Sequence, residues 1–121
     1  MSNYVFSTTI NQPIDDAIET LKATLMNHHL GIVKTKLEQD MPAYRILGAC
    51  NPKMAKTMID AEPSAGALLP CTIVAREVDG ATVFDFMDPI TVLGIADNAV
   101  MDKVAAEATE KLKAAVADLE K

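Results

Sequence analysis

The feature that most restricts how this chain folds is Asp79-Gly80, set between two alternating runs, CTIVAREV at 71–78 and ATVFDFM at 81–87. Asp-Gly suits the centre of a type I′ turn, where both residues need positive φ, and a two-residue turn sets the register of its flanking strands. In that register Cys71, Ile73 and Ala75 share a face with Phe84 and Phe86, while Val74, Val78, Val83 and Met87 share the opposite face with Arg76 and Asp85. Both faces are apolar enough to need cover. Helices supply it for one; the other is left to helices on the far side, a second subunit or a ligand. Arg76 and Asp85 read as a cross-strand ion pair of small energetic value.

The remaining elements follow from periodicity. Residues 3–10 alternate, with Tyr4, Phe6 and Thr8 on one face and Val5, Ser7 and Thr9 on the other, which predicts a first strand. Asn11 or Gln12 is then expected to cap a helix with Pro13 at its first position and a stripe of Ile14, Ala17, Ile18, Leu21 and Leu25, ending within residues 27–31. Residues 31–37, which carry Ile32, Val33 and Leu37 with Lys34 and Lys36 facing out, predict a second strand, followed by a turn at 39–42. YRILGAC at 44–50 reads as a mostly buried strand.

Asn51-Pro52 is a strong helix start, because Asn supplies a capping oxygen and proline sits where its missing N–H costs nothing. Met54, Ala55, Met58 and Ile59 form the apolar face of that helix, Pro63 ends it, and a loop with Ser64 and Gly66 leads to the hairpin. Asp97 is expected to cap the last helix, in which Met101, Val104, Ala105, Ala108, Leu112, Ala115 and Leu119 recur at helical spacing. A short apolar segment at 90–95 precedes it. The order is βαββαββα, an α+β arrangement that favours a mixed or antiparallel sheet covered by helices.

Length and charge narrow the function classes. At 121 residues, half of them apolar, the chain suits one domain, 1–121, with a core that needs no staples. Seventeen acidic against 11 basic residues leave a net charge of −6, which repels phosphate backbones, so neither nucleic acid nor anionic membrane is an expected partner. MSNYVFSTTI carries no basic n-region or apolar h-region, and a cytoplasmic location is expected. In a compartment that keeps thiols reduced, the two cysteines read as free thiols or ligands rather than a structural disulfide.

At ILGACNPKMA, residues 46–55, and LLPC, residues 68–71, the chain resembles the prokaryotic domain-of-unknown-function family numbered 302, over nearly its whole length. The resemblance implies a mainly antiparallel curved sheet with helices packed on one side, similar to the TATA-binding-protein class, and a homodimer; it implies no established activity. The family's two marked cysteines fall on Cys50 and Cys71, and its Asn-Pro on Asn51 and Pro52. Between Gly31 and Met41 the chain departs from family members, which are often longer there, with an acidic strand and a further short helical stretch.

These motifs make Cys50, Asn51, Met54 and Cys71 the candidate ligand-binding residues. Cys50 stands directly ahead of a capped helix, a placement that favours thiolate over a reference thiol pKa of about 8.5. Cys71 opens the hairpin. If the strands carrying the two cysteines are neighbours, as the fold resemblance implies, both thiols open into one pocket at the sheet edge. The competing reading is that each packs as a small hydrophobe.

Two thiolates and the imidazoles of His28 and His29 match zinc in type, but Cys50 and Cys71 are not a C-x-x-C pair and adjacent histidines seldom bind one ion. For the histidines, favourable charge at a helix C-terminus is the simpler role. Cys50 and Cys71 with Met54 or Met58 instead make a soft set suited to Cu(I), set against plain core packing of the methionines.

Serine at 2, 7 and 64 and five isolated glycines form neither a nucleophile elbow nor a phosphate-cradling loop. Asp85 and Asp88, three apart along one strand, point to opposite faces. No named reaction emerges. Two expectations stand: a cytosolic thiol-based module binding a soft metal, a sulfur species or a small apolar cofactor, and a non-catalytic dimerisation or protein-interaction domain whose cysteines merely pack.

Overall fold

The computed structural model describes residues 5–36, 41–69 and 71–120, with backbone only for 31–36. Five strands, β1 (Val5–Ile10), β2 (Gly31–Lys36), β3 (Tyr44–Cys50), β4 (Cys71–Val78) and β5 (Ala81–Met87), form one antiparallel sheet in the order β1-β5-β4-β3-β2. Four α-helices, α1 (Ile14–Asn27), α2 (Pro52–Ala61), α3 (Pro89–Leu93) and α4 (Ala99–Leu119), connect and cover it. The order is the one read from periodicity, with 90–95 split between α3 and a 3-10 turn, Gly94–Ala96. Asn3 and Tyr4, the end of the second predicted strand at Leu37, and Gln39 and Asp40 of the expected turn at 39–42 lie outside the described residues.

The hairpin register is as the turn chemistry dictates. Ile73 pairs with Phe86 and Ala75 with Phe84, around Asp79 (φ 51°) and Gly80 (φ 82°). Leu47, Ala49, Ile73, Ala75, Phe84 and Phe86 turn one sheet face toward the helices. Against it pack the α1 stripe of Ile14, Ala17, Ile18, Leu21 and Leu25, and Leu112 and Ala115 of α4. Burying each large apolar side chain contributes about 1.5–3 kcal/mol, so this layer dominates the stability of the fold. A second cluster, with Met58, Leu93, Met101 and Val104, joins α2, α3 and α4. The helices all lie on this side. Across the sheet, Ile46, Val74, Val83 and Met87 are only half-buried. Among the described residues no helix is long and apolar enough to cross a membrane.

Several local expectations shift by one residue. Pro13 stands at the cap position rather than at the first helical residue: its ψ of 154° is extended, its carbonyl accepts from the Ala17 amide, and no side chain caps α1. Neither Asn11 nor Gln12 caps; Gln12 instead accepts a hydrogen bond from the Thr20 hydroxyl. Asp97 adopts a left-handed φ of 49°, and Asn98 caps α4, accepting from the amides of Val100 and Met101. Asp88 lies past the end of β5, where it caps α3 through the Ile90 amide, so it shares no strand with Asp85. Ile59 is 41% exposed, because Met58 takes the inward position on α2. The segment with Ser64 and Gly66 is a 3-10 turn, Pro63–Leu68.

Candidate functional site

Cys50 ends β3 and Cys71 begins β4, and these strands are neighbours. Ala49 pairs with Cys71, which places Cys50 one residue beyond that pair. Both cysteines are free, both are partly buried, and both line a single cavity. It lies at the seam of the two apolar clusters. Ala49, Leu30 and Leu112 of the sheet-side core form part of its wall, and Met58, Leu93 and Val104 of the second cluster another part. Met54 completes it from the first turn of α2. Four sulfur-bearing side chains, Cys50, Cys71, Met54 and Met58, therefore meet on one cavity with apolar surroundings. Its volume is about 30 Å³.

Burial, and to a lesser degree negative charge on neighbouring Cys50, push the Cys71 thiol up to about 11. The cause is general: an apolar wall solvates a thiolate poorly, so the neutral thiol is favoured.

Asn51 sets the site's rim. Its Oδ1 accepts from the amides of Lys53 (3.0 Å) and Met54 (3.1 Å), the capping role legible in the sequence. Its Nδ2 also donates to the His29 carbonyl at 2.9 Å, which ties the turn after α1 to the start of α2. That second bond had no sequence signal, since it depends on β2 and β3 lying side by side. Asn51 also borders a separate surface cleft lined by His29, Lys53 and Lys111.

The candidate residues Cys50, Asn51, Met54 and Cys71 are thus brought together, and Met58 joins them. The histidines are not. His28 follows α1 and contacts Asp118 near the end of α4, with Nε2 to Oδ2 at 2.7 Å, and His29, in a left-handed conformation, lines the surface cleft beside Asn51 rather than the cysteine cavity. Among the described residues no group of three or more His, Cys, Asp or Glu is placed to hold a metal ion. Leu69, Leu93 and Ala108, which also wall the cavity, were invisible as site residues because core packing demands the same side chains.

A family model described as Domain of unknown function DUF302 matches residues 6–119. The crystal structure of an uncharacterized conserved protein DUF302 from Bacillus stearothermophilus is similar in fold, with a TM-score of 0.85 and 20% sequence identity. That match covers 98% of this chain and 98% of the other. No curated protein matches the chain.

Proposed function

The chain belongs to the family described as Domain of unknown function DUF302, and from that footing we propose that it is a thiol-based binding module whose Cys50 and Cys71 receive a small ligand. One observation carries this reading: two cysteines 21 positions apart line the same apolar cavity. Free cysteines that merely fill a core leave no space between them and their neighbours. A volume of about 30 Å³ corresponds to roughly one or two water-sized occupants, which favours a ligand of one or a few atoms over an organic cofactor. The reading requires a reducing, cytosol-like compartment, where both thiols persist.

The test is thiol titration of anaerobically purified protein before and after exposure to soft metal ions and to inorganic polysulfide. At least one challenge should mask both thiols of the wild type, and metal content or absorbance should change with it. Cys50→Ala with Cys71→Ala should abolish that change. Thiols that remain fully titratable after every challenge would end the reading.

The open sheet face favours a second role, self-association. Ile46, Val74, Val83 and Met87 are half-buried there without a helix over them. A homodimer joined through this face would sediment at twice the chain mass, and Val83→Glu would return it to monomer. A wild type that stays monomeric at high concentration would exclude this role.

A further inference from the structure

We propose that Cys50, Cys71, Met54 and Met58 together form a binding site for a single soft monovalent metal ion of the copper(I) class. The proposal rests on the reading that this cavity binds a small ligand through its thiols, and it names the ligand.

Donor chemistry is the first argument. Thiolate and thioether sulfur select Cu(I), whereas carboxylate, carbonyl and water suit harder ions. Here every lining residue whose side chain carries a donor atom, apart from the rim residue Asn51, carries sulfur. Structural zinc asks for four Cys or His ligands in a closed tetrahedron. Only two such residues line this cavity, and His28 is engaged with Asp118 instead.

Size and charge agree. A cavity of about 30 Å³ has room for roughly one or two water-sized occupants, enough for a single bare ion. Its walls are apolar, and an uncompensated charge in such surroundings is costly. One thiolate neutralises a monovalent ion, and the second cysteine, as a neutral thiol, and the two thioethers coordinate without adding charge; a divalent ion would need both cysteines as thiolates in the same apolar walls. The balanced step is exchange without electron transfer: an S–H bond breaks, an S–Cu bond forms, the proton leaves to solvent, and copper enters and stays as Cu(I).

A route inward is also present. Met54 and Val104 line both the cavity and a surface groove between α2 and α4 that is bordered by Lys53, Thr57, Lys103 and Glu107. Met54 is therefore the sulfur that meets an arriving ion first. Its unbranched side chain has the rotamer freedom to swing between the groove and the cavity.

Anaerobic titration of the full chain with Cu(I) in competition with a chromogenic Cu(I) chelator tests the proposal, together with X-ray absorption at the copper edge. One ion per chain and a shell made only of sulfur are expected. Cys50→Ser and Cys71→Ser should each abolish retention. Met54→Leu and Met58→Leu keep volume and apolarity, so they should leave thiol titration and folding intact while weakening Cu(I) binding by about 10- to 100-fold. Failure of the folded, thiol-intact wild type to retain Cu(I) overturns the proposal, as does a nitrogen or oxygen shell, or Cu(I) affinity unchanged in both methionine variants. If polysulfide still masks both thiols while Cu(I) is not held, the copper assignment falls and the thiol-binding reading stands. If neither is taken up, both fall.

Discussion

Asn51 donates from Nδ2 to the His29 carbonyl at 2.9 Å while its Oδ1 caps the helix that begins one residue later. One side-chain amide thus holds two chain segments at the rim of the cysteine cavity. Asn51→Ala removes both functions and should cost about 0.5–2 kcal/mol in urea unfolding, the usual range for a lost cap. Asn51→Asp keeps the acceptor and loses only the donor to His29, so its cost should be the smaller. A stability loss in Asn51→Asp too small to measure would show that the bond to His29 contributes nothing measurable.

Cys71 should react as a buried thiol. With its pKa raised to about 11 by burial and by Cys50, its alkylation rate should keep climbing tenfold per pH unit through pH 10, where a thiol near the reference of about 8.5 has levelled off. The rate is read by iodoacetamide labelling in a Cys50→Ser background, in which removal of the neighbouring charge moves the profile slightly downward. A plateau below pH 9 would contradict the burial argument.

Asp85 supplies an acid-sensitive contact on the open sheet face. Burial raises its pKa, but hydrogen bonds from Arg76 Nε at 2.8 Å and from the Ser7 hydroxyl outweigh that effect and hold it below the usual carboxylate value. A carboxyl whose folded pKa is depressed stabilises the protein above its unfolded pKa of about 3.9, and that contribution is lost as pH falls through the folded value. Thermal melts from pH 6 to pH 2 should therefore show an acid limb that is shallower in Asp85→Asn. Parallel limbs would show that the pair contributes no pH-dependent stability.

Gly80 occupies the left-handed position of the hairpin turn at φ 82°, and a Cβ placed there would meet nothing within 4 Å. The penalty for Gly80→Ala is thus purely conformational, about 1–2 kcal/mol for an L-residue held in that region. Equilibrium unfolding measures it directly, and a neutral substitution would mean that the turn relaxes to another type.

Much of this architecture was legible in the chain because the signals are local. Alternation in CTIVAREV and ATVFDFM, with Asp79-Gly80 between them, specifies a hairpin and its register through turn sterics alone. Asn51-Pro52 marks a helix start by the same kind of short-range chemistry. Local reading slipped where dihedral angles decide between adjacent residues. Pro13 is extended and so falls just outside α1, and Asp97 adopts a left-handed conformation that hands the cap of α4 to Asn98.

The cavity itself belongs to the tertiary structure. Sequence alone identified Cys50 and Cys71 as unusual and determined the elements that carry them, because periodicity and capping act over a few residues. That their side chains line one space depends on β3 lying beside β4 with Ala49 opposite Cys71, and on α2 folding back to bring Met54 and Met58 over the same spot. Those are contacts between segments far apart in the chain, selected by burial of the whole apolar core. No local pattern encodes them, so the separation of the histidines from the cysteines and the meeting of four sulfurs were decided only when the sheet and helices packed.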